Sequence, residues 1–255
     1  EQLQSIGVAT YAMDVRGFGS WSGKAGESLT KSKFNPNKTL SDVKVALQTL
    51  RQENPGTPVF LLGESMGAAL ALKAAAQNPA LVDGVIASVP AAERYRAKRA
   101  ALNLAVRNLL GAGGHINLSK RLIAQATRNE ALREEWQHDP RARLTVSTGE
   151  LISFSRFMRN NHKVAKQIKD TPVLVLQGTN DRLVKLSGTV RLFTELASQD
   201  KDLLLVDQSE HLILEEGQTN SVTFGHLEKW LARHEAITNS PVAEPGSEPI
   251  LANLF

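Results

Sequence analysis

The sequence predicts an α/β protein built on a mostly parallel sheet, with flanking helices and a helical insertion. Three observations carry this. Short apolar runs alternate with helical patterns along much of the chain, the signature of βαβ units. The runs at 60–62 and 173–176 barely alternate with polar residues, as in strands buried on both faces. Between Val89 and Asp170 the strand signal vanishes, and the chain reads as helical and strongly charged.

The elements follow in order. Residues 8–14 (VATYAMD) read as a buried strand, followed by the Gly/Ser-rich loop RGFGSWSGKAG. Residues 39–53 read as a helix, because Leu40, Val43, Leu47 and Leu50 recur at spacings of three and four. Asn54-Pro55-Gly56 stops it. Residues 58–62 form a short apolar strand, 67–77 a helix of small residues stopped near Pro79, and 85–89 another strand. The insertion holds AAERYRAKRAALNLAVRNLL, SKRLIAQATRNEALREEWQ and STGELISFSRFMRNNHKVAKQ, the first two separated at Gly111–Gly114. Strands at 172–177 and 203–206 and a helix at 221–235 complete the pattern. Residues 239–255 contain three prolines and no basic residue, and read as a loose tail. The organisation expected is core at 1–90, cap-like insertion at 91–168, core again at 169–238, and tail.

Composition narrows the function classes. The 255 residues allow one large core plus a small insertion. No apolar run reaches the ~18–20 residues that cross a bilayer. The start, EQLQSIGVAT, has no signal-peptide pattern and no Met. With no cysteine, disulfides, thiolate metal sites and a cysteine nucleophile are excluded, and a cytoplasmic location is the expectation. A net charge of +4 with 5% aromatics argues against a nucleic-acid partner.

The chemistry starts at FLLGESMGAAL, residues 60–70. A strand, then Gly63-x-Ser65-x-Gly67, then a helix is the nucleophile-elbow pattern. The chain must turn sharply there, and side chains at both Gly63 and Gly67 are expected to collide across the turn. Ser65 needs a base, and the base needs an orienting carboxylate. In this pattern the order is Ser, acid, His, with the partners in loops after later strands. Asp181 follows the strand at 172–177, and His211 follows the strand at 203–206. His115, His138 and His162 precede Asp181, while His226 and His234 lie on the last helix. Asp207 and Glu210 are rivals for the acid, but sit too near His211 in sequence to reach round from a neighbouring strand.

GESMG, LQGTNDRLV and SEHL, with MDVRGFGS upstream, together resemble the α/β-hydrolase superfamily, in the branch of monoacylglycerol lipases and lysophospholipases. The resemblance runs from about Gly7 to Ala232. It implies Ser65 as nucleophile, Asp181 as acid, His211 as base and the Met66 N–H as one oxyanion donor. It implies a helical cap, a lipid-like carboxylic ester as substrate, an acyl-enzyme, and no cofactor. That family has strands before the stretch at 8–14 and a His-Gly loop carrying the other oxyanion donor. By this resemblance the chain is N-terminally truncated and lacks the first strands; Val8, Tyr11 and Met13 are then expected to be exposed, and the activity impaired. Trp21 stands where the family tends to have serine. A thioesterase or aminopeptidase-type amidase of the same fold is the nearer rival, and a catalytically silent binding protein the further one.

Weaker signals point elsewhere. Gly17 and Gly19 lack the third glycine and the helix of a dinucleotide loop. Glu215 and Glu216 read as solvated carboxylates, so no metal is expected. Arg94, Arg96, Lys98, Arg99 and Arg107 accompany leucines on a basic amphipathic helix. The favoured reading is a solvated helix covering the active site; its rival is peripheral contact with an anionic membrane surface. Oligomeric state leaves no mark in the sequence.

Overall fold

A computed structural model of the chain describes residues 2–19, 34–90, 93, 115–117, 119–139, 142–143, 145–215 and 217–238. The basic helix expected at 94–107, Trp21, Glu216 and the tail at 239–255 lie outside these residues.

The described elements are α1 (Gln2–Ser5), α2 (Pro36–Glu53), β1 (Phe60–Glu64), α3 (Met66–Gln77), β2 (Gly84–Ser88), β3 (His115–Asn117), α4 (Ser119–Ala126), α5 (Glu130–His138), β4 (Thr145–Ser147), α6 (Thr148–Arg159), α7 (Asn161–Ala165), β5 (Val173–Gly178), α8 (Leu186–Glu195), β6 (Lys201–Val206) and α9 (Ser221–Thr238). Strands β1, β2, β5 and β6 pair in that order, all parallel.

Alternation within the central strands builds two cores. Val85, Ala87, Val173 and Val175 face one layer, with Leu40, Leu47, the buried side of α3, and Leu192. Ile86, Leu174 and Leu176 face the other, with Leu227, Trp230 and Leu231 of α9. Every residue of β2 and β5 is buried, as continuous apolar strands require. Helix α3 sits close against β1 and β2 because Ala68, Ala69, Ala71, Ala74 and Ala75 present so little bulk.

Several expectations are corrected. Residues 8–14 form no strand: a strand is defined by hydrogen bonds to a neighbour, and this stretch pairs with none of the described sheet. Tyr11 is 67% and Met13 42% exposed, as expected of a stretch outside the sheet, while Val8 is half-buried against the α9 side. Strand β1 is not buried on both faces. It is one of the two edge strands of the described sheet, and its Leu62 is 44% exposed. Helix α2 begins three residues early, because Asn35 accepts from the Lys38 N–H at 3.0 Å and Pro36 opens the first turn.

The segment between β2 and β5 is not purely helical. β3 and β4 pair as an antiparallel ribbon. With three residues each they are too short for any period to register. The helix expected through SKRLIAQATRNEALREEWQ breaks at Thr127–Asn129, where Asn129 accepts from the Ala131 and Leu132 N–H groups and starts α5. A capping box between Ser147 and Glu150 starts α6. Among the described residues, no helix is long and apolar enough to cross a membrane.

Candidate active site

Ser65 stands between the end of β1 and the start of α3 with φ 54° and ψ −109°. That backbone is unfavourable for a residue with a Cβ. It is held by Ser65 N–H donating to the Ser88 carbonyl at 2.9 Å and by the Ala69 N–H donating to the Ser65 carbonyl. Val89 (φ 47°) and Gln208 (φ 55°) share the positive φ, both just past strand ends. The strain thus gathers at the carboxyl end of the sheet.

The two elbow glycines are not equivalent. A Cβ on Gly63 would lie 2.2 Å from the Gly67 carbonyl oxygen and 2.6 Å from the Ala68 nitrogen. A Cβ on Gly67 would meet nothing within 4 Å. The expected mutual collision is therefore corrected. Only Gly63 is required by space, because it is the Gly67 backbone, not a side chain, that crowds it.

Asp181 lies in the loop after β5 and is 5% exposed. Its Oδ1 accepts from the Leu183 N–H at 2.7 Å and the Val184 N–H at 3.0 Å. Its Oδ2 accepts from His211 Nδ1 at 2.8 Å and from Gln177 Nε2 at 3.3 Å. Burial pushes the carboxyl up, but the His211 hydrogen bond and charge and the two backbone donors outweigh it, leaving Asp181 below the usual carboxylate range. An ionised carboxylate can only accept, so Nδ1 of His211 carries a proton on the Asp181 side, and in the neutral imidazole this leaves Nε2 as the acceptor. Nε2 lies 3.0 Å from Ser65 Oγ, within reach of the hydroxyl proton.

The pair Asp181–His211 has a consequence for stability. Because the folded-state value is lowered, the carboxylate's contribution is fully present above the unfolded value of ~3.9 and is lost as pH falls through the lowered value. The stability advantage of the parent over Asp181→Asn, read from urea denaturation, is expected to be widest at neutral pH and to shrink below about pH 4. A gap independent of pH would contradict the pairing.

Glycine 178 makes this arrangement fit. A Cβ there would lie 2.3 Å from the Ser209 carbonyl oxygen and 2.4 Å from that of Glu210. The loop carrying His211 therefore presses directly on the end of β5, and Asn180 N–H donates to the Ser209 carbonyl. Gln177 is equally hidden; its amide also takes a hydrogen bond from Thr189 Oγ1. Neither was singled out from sequence. The readable signals were a glycine ending an apolar strand and a glutamine inside one. The rival acids are engaged elsewhere: Asp207 accepts from Thr179 Oγ1, and Glu210 takes the Arg128 N–H and Arg182.

A cavity of ≈ 360 Å³ opens on this group, with Ser65, Met66 and His211 in its wall. Phe34, Leu122, Ile123, Trp136, Phe154 and Leu183 make it largely apolar. Besides Asp139, a charged pair interrupts it: Arg143 and Glu150, with buried side chains 2.7 Å apart. Glu150 also takes the Phe34 N–H, and Arg143 donates to the Gly17 carbonyl. The pair ties the residues before α2 to the segment between β2 and β5. The Met66 N–H is the first of α3, where a helix leaves N–H groups without intrahelical partners and carries partial positive charge. Such a site can activate a serine hydroxyl against a carbonyl and accommodate an apolar chain beside it.

Comparison with known proteins gives the family. Residues 1–218 match the Hydrolase_4 family, described as Serine aminopeptidase, S33. The human monoglyceride lipase is 31% identical over 92% of this chain and 76% of its own length. A monoglyceride lipase homolog of Monkeypox virus is 28% identical over 91% of this chain and 82% of its own. The crystal structure of Paleococcus ferrophilus monoacylglycerol lipase superposes with a TM-score of 0.72 at 26% identity, covering 91% of this chain and 86% of that one. The chain belongs to the Hydrolase_4 family and is an enzyme of the α/β-hydrolase fold, with carboxylic-ester hydrolases as its relatives.

Proposed function

We propose that the protein is a serine hydrolase that cleaves the ester of a monoacylglycerol through Ser65, His211 and Asp181. The observation that carries the reading is His211 placed between Ser65, at 3.0 Å, and Asp181, at 2.8 Å, at the wall of an apolar cavity. The monoglyceride lipases among the relatives support the choice of ester.

In this reading His211 Nε2 takes the Ser65 proton as Oγ attacks the ester carbonyl. Asp181 holds the imidazole in the required tautomer and stabilises the imidazolium. Charge developing on the carbonyl oxygen falls near the Met66 N–H, the oxyanion donor at the start of α3. His211 then gives its proton to the leaving glycerol oxygen, and an acyl group remains on Ser65. Water, activated by the same imidazole, cleaves the acyl-enzyme and restores the site. The acyl chain occupies the apolar cavity. The insertion at 91–168 serves as a cap over the core formed by 1–90 and 169–238.

The family description and the relatives' names point to different bonds, so the test sets them against each other. Hydrolysis of 1-oleoylglycerol and of an aminoacyl anilide is measured side by side. The expected result is release of oleate and no appreciable cleavage of the anilide. Efficient anilide cleavage without oleate release would favour the aminopeptidase-type reading.

A further inference from the structure

The loop bearing His211 leaves β6, at one edge of the described sheet, yet His211 must meet Ser65 at the end of β1, at the other edge. Three spacings of ~4.8 Å separate those strands, so the loop crosses roughly 14 Å over the sheet's end. Near β5 it is fixed by contact with Gly178 and by the Asn180 to Ser209 hydrogen bond. Its far end has a different anchor. Glu64, the last residue of β1 and the neighbour of the nucleophile, turns its carboxylate beneath the loop. Oε1 accepts from the Ile213 N–H at 2.8 Å, the Leu214 N–H at 3.2 Å and Ser88 Oγ at 2.7 Å.

We propose that Glu64 is a positioning residue for the base: its carboxylate clamps the His211 loop to the strand that carries Ser65, and so sets the Nε2 to Oγ distance. The inference rests on the reading of Ser65 and His211 as nucleophile and base. One side chain joins three structures that meet at the site: β1 through its own backbone, β2 through Ser88, and the loop through two consecutive N–H groups directly after His211 and Leu212. What these donors need is an acceptor oxygen, because a buried N–H that loses its partner goes unpaired at a cost larger than an ordinary hydrogen bond's net gain. Ile213, fully buried in the α9-side core, seats the loop from below, while Glu64 sets its height over the elbow.

The same carboxylate costs stability. Burial pushes the Glu64 carboxyl above the usual range, against the opposing hydrogen bonds from Ser88, Leu214 and Ile213 and the nearby His211. A raised folded-state value means that ionised Glu64 weakens folding as pH rises through it. Glu64→Gln keeps an acceptor oxygen in place of Oε1 and removes that cost, so its rate can be read on a folded protein.

Kinetics on 1-oleoylglycerol test the proposal, with the parent, Glu64→Gln, Glu64→Ala and Ser65→Ala measured together. Misplacing a catalytic group by about 1 Å can cost ~10²-fold in rate. Glu64→Ala is therefore expected to lose about 10²-fold in kcat with KM little changed, because the cavity is untouched. Glu64→Gln is expected to recover most of that loss. Circular dichroism and thermal melting of each variant confirm that folded protein is compared. An alanine variant within about two-fold of the parent, or a glutamine variant no better than alanine, would overturn the clamp. Such a result with Ser65→Ala still inactive removes only this proposal. Activity in Ser65→Ala would remove the nucleophile reading and the clamp with it. If alanine fails to fold, Glu64→Gln against Glu64→Leu supplies the same comparison: acceptor kept against acceptor lost, at similar bulk.

Discussion

Ser65→Ala is expected to lower kcat for a monoacylglycerol on the order of 10⁶-fold, the scale on which removing the serine or the histidine abolishes triad catalysis. The expectation comes from the geometry. Ser65 Oγ lies 3.0 Å from His211 Nε2, and that imidazole is held on its other side by the buried Asp181 carboxylate at 2.8 Å. Groups that act as one unit are not additive. The double variant Ser65→Ala/His211→Ala is thus expected to be no slower than Ser65→Ala alone, since His211 without a nucleophile has no proton to take. Two losses that multiplied would mean that His211 and Ser65 act separately. Thermal stability is expected to change little, because a hydroxyl is removed from a half-buried position without opening the core.

The largest effect on stability is expected at the elbow. Gly63→Ala places a Cβ 2.2 Å from a backbone carbonyl oxygen, and backbone cannot swing aside as the end of a flexible side chain can. A cost of ~3 kcal/mol or more follows, at the upper end of overpacking. Gly67→Ala is the control. It adds a methyl group to open space near the helix start, where alanine is a better helix former by ~1 kcal/mol than glycine in a helix interior. Denaturant midpoints of the two variants are expected to fall on opposite sides of the parent, or with Gly67→Ala unchanged. Equal losses at both positions would restore the symmetric collision that the motif alone suggests.

Much of this was legible in the sequence, for reasons that can be named. Strands β2 and β5 and the alanine-rich α3 are long enough, and buried enough, for their patterns to register without tertiary knowledge. The order Ser65, Asp181, His211 was readable because each follows an apolar run at a point where a parallel sheet puts its loops. Failures came where a partner decides the outcome. VATYAMD has strand composition, but a strand needs a neighbour, and none of the described sheet pairs with it. The β3–β4 ribbon is held by pairing across some thirty intervening residues and carries no local signal. The roles of Gly178 and Glu64 were hidden for a related reason, even though a glycine closing an apolar strand is a readable signal. Both matter because the His211 loop passes over them, and nothing adjacent in sequence records that crossing. The symmetric reading of Gly63 and Gly67 erred because a motif shows residue types but not which backbone crowds which side chain.

The central claim, that Ser65 is an activated nucleophile, is tested most directly by mapping a fluorophosphonate adduct. The probe phosphonylates an activated serine oxygen: the O–P bond forms as the P–F bond breaks and fluoride leaves, and peptide mass spectrometry locates the new bond. The account predicts one adduct, on the peptide containing Ser65, absent in Ser65→Ala and strongly slowed in His211→Ala. Folded protein that takes no label, or takes it at another residue with Ser65 unmodified, would contradict it.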